Sequence, residues 1–168
     1  MSPTAARQRR AERVLALDLA TRTGWALGRP GERALHGVWR LETLEGSIGA
    51  GCAALCDVLA DAITVHAPGL IIYEAPLPPR AQTQAHTARF LIALTGVVEL
   101  VAYRREIEVR ECPVQTWKKE IVGHGFAKKD DVGAWARGQG YLPHDDNDAD
   151  ALALLAYAHA QLAKRIAA

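Results

Sequence analysis

Several residue types are scarce in this 168-residue chain, and each scarcity narrows the class of protein it can be. Three cysteines are too few and too scattered for a disulfide framework or a four-ligand zinc site. No apolar run approaches the roughly 18 uninterrupted residues of a membrane span. The net charge of +1 does not by itself indicate a nucleic-acid binder. The remaining composition, 49% hydrophobic and 23% charged, predicts an ordinary globular domain without a membrane segment.

The charges are segregated along the chain although their sum is small. Lysines gather at 118–119 and 128–129, whereas acids concentrate at 145–150. This distribution is typical of a cationic surface around an acidic centre. The first residues are basic and polar, with no apolar segment behind them. We therefore expect a disordered tail at 1–12, a single domain over 13–168 and a cytoplasmic protein.

Apolar periodicity predicts three strands, a helix, a strand, a helix, a strand and then three helices. The predicted strands lie at 13–19, 23–28, 34–42, 69–74 and 106–112. The predicted helices lie at 47–66, 82–104, 113–122, 128–137 and 146–166. This order predicts an α/β domain with a central mixed five-stranded sheet, its first three strands antiparallel, flanked by helices.

An acidic cluster, DDNDAD at 145–150, leads directly into the last, apolar helix. Such a cluster is usually a helix cap that complements the helix dipole. Two further acids, Asp18 and Glu74, stand at the ends of buried strands and can meet the cluster if those strands are neighbours. Converging carboxylates cannot all stay ionised unless cations neutralise them. The pattern therefore predicts a site for two Mg²⁺ ions that supports phosphodiester hydrolysis.

Four segments together resemble the RuvC-type Holliday junction resolvases, and particularly their phage or prophage members, which have a ribonuclease H-like fold. The segments are LALDLATRTGWAL at 15–27, IIYEAPLP at 71–78, VQTWKKEIVGHGFAKKDDV at 114–132 and NDADALALLAYA at 147–158. The first alone would also fit sugar kinases and actin-like ATPases, but the combination is specific. The resemblance implies a Mg²⁺-dependent endodeoxyribonuclease, with Mn²⁺ able to substitute, that acts as a homodimer on four-way DNA junctions.

The resemblance also implies roles for individual acids. Asp18 is similar to the ligand that bridges both ions, Glu74 to the second acid, and Asp150 to the final ligand. The family places an acid or histidine three residues before the final ligand, where this chain has Asn147. Because positions three and four before Asp150 share its helical face, we predict that Asp146 supplies the missing carboxylate. Asn147 is then a weaker oxygen ligand or a supporting group.

Basic and aromatic residues complete the predicted site. Lys118 and Lys129 fall where the family carries lysines near the scissile phosphate, and can anchor it or offset developing charge. Leu77 stands near the position where some members present an aromatic residue to junction bases. Trp117 is expected to pack the core, with base stacking as the alternative. The six histidines show no paired metal spacing and are expected at the surface.

Other interpretations of the sequence stay open. Asp145 and Asp148 are expected to be capping or solvated charges rather than ligands. The fold also suits a nuclease for RNA–DNA hybrids, flaps or forks, or, because of Asn147, a non-catalytic nucleic-acid-binding member. An actin-like ATPase ranks last, since the chain is too short for two lobes. The helix predicted at 82–104 is the candidate dimer contact, because its apolar arc is wide.

Overall fold

A computed structural model describes residues 12–41, 47–76 and 85–167 of the chain. The predicted basic tail, apart from residue 12, and Leu77 lie outside these residues. The predicted start of the second helix at residue 82 also lies outside them.

Five strands form one sheet in the order β3-β2-β1-β4-β5. Their bounds are β1 Val14–Asp18, β2 Arg22–Gly28, β3 Leu35–Arg40, β4 Leu70–Glu74 and β5 Glu108–Cys112. Strands β1, β2 and β3 pair in antiparallel fashion, whereas β4 runs parallel to both β1 and β5. The predicted mixed sheet with an antiparallel first half is confirmed.

Within the described ranges, five helices cover the two faces of the sheet. Their bounds are α1 Ile48–His66, α2 Ala85–Arg104, α3 Val114–Ile121, α4 Lys129–Gly138 and α5 Asp146–Ala167. Helices α1 and α2 pack on each other and bury one face, while α5, flanked by α3 and α4, covers the other. The acids predicted from the sequence to form a site lie on or near this second face.

Strand alternation determines which helices each residue of β1 meets, because successive side chains of a strand point to opposite faces. Leu15 and Leu17 belong to the core formed with α1 and α2. Val14 and Ala16 belong to the core formed with α5. Asp18 continues the second series, so its carboxylate points toward α5.

Local sequence accounts for the helix ends near this face. Gly123, just beyond α3, has a φ of 103°, a left-handed conformation that glycine adopts without steric cost. Helix α4 then begins where the Asp131 carboxylate accepts a hydrogen bond of 2.8 Å from the Lys128 amide. The lysine-bearing loop between α3 and α4 is thus held at both of its ends.

Helices α1 and α2 are long and apolar enough to cross a membrane by length and composition alone, with mean hydropathies of 1.7 and 1.4. Core helices of soluble domains pass the same test. Helix α1 buries Leu55, Leu59 and Ile63 against the sheet and turns the charged Asp57 and Asp61 outward. We therefore assign both helices to the packing of this domain.

Candidate functional site

Three predicted acids meet at one edge of the sheet. The parallel pairing of Leu17 with Tyr73 sets Asp18 and Glu74 side by side at the ends of β1 and β4, with neighbouring strands about 4.8 Å apart. Both strands place these carboxylates on the face covered by α5, which carries Asp150 in its second turn. Residues 18, 74 and 150 thus come from three elements that are distant in sequence.

Burial and mutual repulsion shift the titration of these acids. Burial raises the pKa of Asp18 well above its usual value, and the charges of Glu74 and Asp150 raise it further. Burial, followed by the charge of Asp150, raises the pKa of Glu74 to about 7. Burial raises the pKa of Asp150 to about 6, against the lowering effect of Lys118. Three acids with raised pKa values form a cluster that favours either protons or bound cations.

Glu74 is held by a residue that the sequence assigned to packing. Trp117 on α3 is fully buried, and its indole Nε1–H donates a 3.0 Å hydrogen bond to Oε2 of Glu74. This bond favours the ionised acid and lowers its pKa, although burial outweighs it. The expected core role of Trp117 is confirmed, and base stacking is excluded by its burial. Trp117 also orients a site carboxylate, a role its position in the motif did not reveal.

Two lysines flank the acids. Lys118 lies within electrostatic reach of all three carboxylates, and its ammonium donates a 3.2 Å hydrogen bond to the carbonyl of Ala127. Lys129 pairs with Asp146 at 3.0 Å, and both side chains are more than half exposed, at 70% and 54%. Asp146 therefore stands at the rim of the cluster, where its charge reaches Asp150.

Asn147 contacts strand β2. Its side-chain amide donates a hydrogen bond to the Arg22 carbonyl on β2. A Cβ on Gly24, the neighbouring β2 residue, would lie only 1.9 Å from the Asn147 carbonyl oxygen. Glycine at position 24 thus permits the first turn of α5 to lie directly on β2. Asn147 joins this helix to the sheet in the structure.

Of the two roles expected for Asp148, a capping or a solvated charge, the solvated one is wrong. Its side chain is fully buried, and both carboxylate oxygens lie 2.9–3.0 Å from Nδ1 of His36 on β3. The His144 amide donates a further 2.8 Å hydrogen bond. The prediction of six surface histidines is therefore wrong for His36. A buried carboxylate requires partners of this kind, and only the edge strand β3 supplies the imidazole.

Asp145 has the capping role predicted for it. Its carboxylate accepts a 3.1 Å hydrogen bond from the Asp148 amide and pairs with Arg22 at 2.9 Å. Burial acts to raise the pKa of Asp145, but these contacts outweigh it and lower the pKa. The DDNDAD cluster therefore divides between docking α5 on the sheet and facing the site.

The donor chemistry of the site fits a hard divalent cation. In the described parts of the chain, no three Asp, Glu, His or Cys side chains stand close enough to form a ready metal cage. However, Oδ1 of Asp150 is buried and lacks a hydrogen-bond partner among the described residues. A buried, unpaired carboxylate oxygen is costly, and a cation bound among oxygen ligands would satisfy it. The residues fit Mg²⁺ or Mn²⁺ provided that the acids draw together on binding.

Comparison with known proteins tests the family expected from the sequence motifs. The chain is 33% identical over 125 residues to "Crossover junction endodeoxyribonuclease RuvC" of Sorangium cellulosum (strain So ce56), and the match covers 71% of this chain and 68% of the relative. The chain belongs to the RuvC family. No protein-family model matches it. The family expected from the four motifs is therefore confirmed by a relative of similar length.

Solved structures share the RuvC fold. Thermus thermophilus RuvC has a TM-score of 0.67 at 20% identity, covering 90% of this chain and 96% of that one. The T. thermophilus RuvC complex with a Holliday junction substrate has a TM-score of 0.74 at 22% identity, covering 89% and 96%. The yeast mitochondrial Holliday junction resolvase Ydc2 has a TM-score of 0.61 at 13% identity, covering 87% and 76%. These similarities confirm the predicted ribonuclease H-like architecture.

The RuvC-like motifs thus converge in space only in part. The structure brings together Asp18, Glu74 and Asp150 with Lys118 beside them. Asp146 and Lys129 pair with each other at the rim, and Asn147 contacts β2. The contact residues that sequence reasoning missed are His36, Gly24 and the indole N–H of Trp117. The neighbouring sequence does not reveal these contacts, because each residue contacts a partner that is distant in the chain.

Proposed function

We propose that this chain is a metal-dependent endonuclease that hydrolyses phosphodiester bonds in four-way DNA junctions. The observation that carries the proposal is the buried trio Asp18, Glu74 and Asp150, with Lys118 beside it. Family membership supports the reaction class, and the fold shared with resolvases supports the substrate. We place this activity in one domain over residues 13–168, acting in the cytoplasm.

The three buried acids, Asp18, Glu74 and Asp150, would hold two Mg²⁺ ions, with Mn²⁺ as substitute. When bound there, the ions would supply a water nucleophile and stabilise charge on the scissile phosphate. Asp146 would become a further ligand if its ion pair with Lys129 opened. Trp117 orients the Glu74 carboxylate for this role, and the Lys118 ammonium offsets the charge that develops on the phosphate oxygens.

Loss of Asp150 tests the site directly. We expect Asp150→Asn to lower Mg²⁺-dependent cleavage of a synthetic four-way junction by about 100-fold or more, because several kcal/mol of transition-state stabilisation is lost. Junction binding measured without divalent metal should be unchanged or tighter, since one negative charge is removed. Asp57→Asn, the same change on the exposed face of α1, is the matched control and should cleave like the parent.

Substrate choice is tested by presenting a four-way junction, a flap, a linear duplex and an RNA–DNA hybrid side by side. The proposal expects cleavage of the junction in preference to the others. Cleavage of the hybrid alone would instead assign the chain to ribonuclease H-like enzymes with a different substrate.

A non-catalytic junction-binding role is the second candidate. It is favoured by the contact of Asn147 with β2 and by the open arrangement of the described acids. Isothermal titration with Mn²⁺ distinguishes the two functions. A nuclease should bind the metal in the parent and lose affinity in Asp150→Asn, whereas absence of binding in the parent would favour the second candidate.

The active form is proposed to be a homodimer, because a four-way junction offers two equivalent strands to a two-fold protein. Helix α2 carries exposed apolar side chains that suit such a contact, and the charged Arg89 and Glu99 share their helical face. The side chains of Ile92, Leu100 and Tyr103 are 51%, 49% and 82% exposed, and Gly96 between them has open space around its Cα. Positions 92, 96, 100 and 103 lie on one helical face.

A further inference from the structure

Phe126 is an exposed aromatic residue on a loop whose backbone is held in place. The residue is 84% exposed and lies between α3 and α4. Its neighbour Ala127 is buried, and the Ala127 carbonyl accepts a hydrogen bond from Lys118. On the other side, a Cβ on Gly125 would lie 3.1 Å from the Gln115 carbonyl of α3, so the backbone packs closely there. The Phe126 ring is therefore exposed to solvent on a loop whose backbone is held by contacts with α3.

The loop borders the candidate active site. Lys118, which binds the loop at Ala127, is the same residue whose charge acts on Asp18, Glu74 and Asp150. Lys129, three residues after Phe126, acts on Asp18 and Asp150 as well. A strand whose phosphate lies at the carboxylates would therefore pass along the loop that carries Phe126.

The charges around the ring suit a nucleic acid rather than an apolar protein surface. Lys128 and Lys129 follow Phe126 and are exposed. The nearest acids in sequence, Asp130 and Asp131, lie in the first turn of α4, and Asp131 accepts hydrogen bonds from the Lys128 amide. An aromatic ring between lysines is the arrangement that binds unpaired nucleotides, with phosphates on the cations and a base on the ring.

We propose that Phe126 is a base-stacking residue that recognises an unstacked base beside the scissile phosphate and favours branched DNA over duplex. This inference rests on the proposed function. Bases inside a linear duplex are stacked on both faces, whereas bases at a junction crossover are exposed at lower cost. Trp117, the other aromatic residue of this motif, is fully buried and unavailable for stacking.

The test compares Phe126→Ala and Phe126→Trp with the parent, using a four-way junction with 2-aminopurine at the crossover and a matched linear duplex. Binding is measured in EDTA, which prevents cleavage. We expect Phe126→Ala to weaken junction binding by about 5- to 150-fold, the range of about 1–3 kcal/mol for one stacked base. Duplex binding should change by less than about twofold. Phe126→Trp should retain junction affinity and the parent's 2-aminopurine signal.

Two control variants separate stacking from other effects. Val65→Ala removes a residue of similar exposure, 73%, from α1 beside the start of β1, and should bind like the parent. Lys128→Ala should lower the slope of log Kd against log salt by about one, whereas Phe126→Ala should leave that slope unchanged.

Specific results would overturn the inference. Equal losses on junction and duplex, or no loss with Phe126→Ala, would exclude a stacking role while junction cleavage by the parent still supported the proposed function. A parent that neither prefers nor cleaves the junction would overturn both. A change in sedimentation mass with Phe126→Ala would instead assign the ring to contacts between copies of the chain.

Discussion

At the scale of single residues, the site is defined by carboxylates that the fold keeps from water. Glu74 combines burial, the nearby charge of Asp150 and a hydrogen bond from Trp117, and the sum raises its pKa to about 7. A cation bound among these acids would replace their protons at neutral pH and relieve their mutual repulsion. The same acids make the metal-free protein sensitive to pH.

Glu74→Gln should stabilise the metal-free protein at high pH. The folded state holds the Glu74 proton more tightly than the unfolded state, whose pKa is near 4.5. The stabilisation is complete below that pKa and is lost as the pH rises to about 7. A neutral glutamine avoids this loss, so thermal unfolding in EDTA should show a higher Tm for the variant at pH 8. Each kcal/mol recovered corresponds to roughly 2–4 °C.

The two proteins should have similar Tm values at pH 4, where Glu74 is largely protonated in both states. Added Mg²⁺ should raise the Tm of the parent more than that of the variant. A variant that is less stable than the parent at pH 8 would contradict the prediction that ionised Glu74 destabilises the metal-free protein.

At the scale of elements, α5 is positioned by contacts of its first turn with β2 and β3. Gly24 leaves room for the Asn147 backbone, the Asn147 amide binds β2, and His36 binds Asp148. Asp150 lies only two residues after Asp148, so this docking determines where its carboxylate stands. Asn147 and Asp148 hold the helix on β2 and β3, and Asp150 faces the candidate site. These residues lie close together in sequence because the side chains of successive helical residues point in different directions.

His36→Ala should destabilise the fold by about 2–4 kcal/mol, because it leaves the Asp148 carboxylate buried without its imidazole partner. Asp148→Ala alone should also destabilise, whereas the double variant should lose less than the sum of the two. Urea unfolding of all four proteins gives the coupling energy. Additive losses would mean that the two side chains do not interact in solution.

At the scale of the whole molecule, the candidate active site and the exposed apolar residues of α2 lie on opposite sides of the sheet. The α5 face of the sheet carries the candidate active site, and the opposite face carries α1 and α2. Helix α2 buries Phe90, Leu94 and Val98 in the core, whereas the side chains of Ile92 and Leu100 are about half exposed. An apolar helix on the outer surface is typical of an interface between subunits.

Leu100→Glu should convert a dimer of the 18.2 kDa chain into a monomer, because a charge placed in an apolar contact loses its hydration. Sedimentation velocity measures the change, and circular dichroism checks that the fold is retained. Val65→Glu, on an exposed position of α1, should remain dimeric. A monomeric parent at micromolar concentration would contradict the proposed dimer. The monomeric variant should lose the paired, symmetric nicking of a junction.

Much of the architecture could be predicted because it depends on local patterns. Apolar runs and turn residues located all five strands, and helical periodicity located the helices to within a few residues. The end-of-strand positions of Asp18 and Glu74 were equally visible, since β1 and β4 stop where polar residues follow. Motif order was sufficient to recognise the RuvC family, which the Sorangium relative confirms.

The sequence by itself thus determined the sheet, the family and the three acids that meet at the strand ends. Only the tertiary structure decided which residues of the DDNDAD cluster face those acids. The partner of Asp148 lies 112 residues away and that of Glu74 lies 43 residues away. Helical spacing alone places several acids of the cluster on nearly the same face of α5. Contacts with strands that are distant in sequence decide which of these acids bind the sheet and which face the site. The partly buried imidazole of His36 and the space left by the missing side chain of Gly24 determine how the first turn of α5 lies on the sheet.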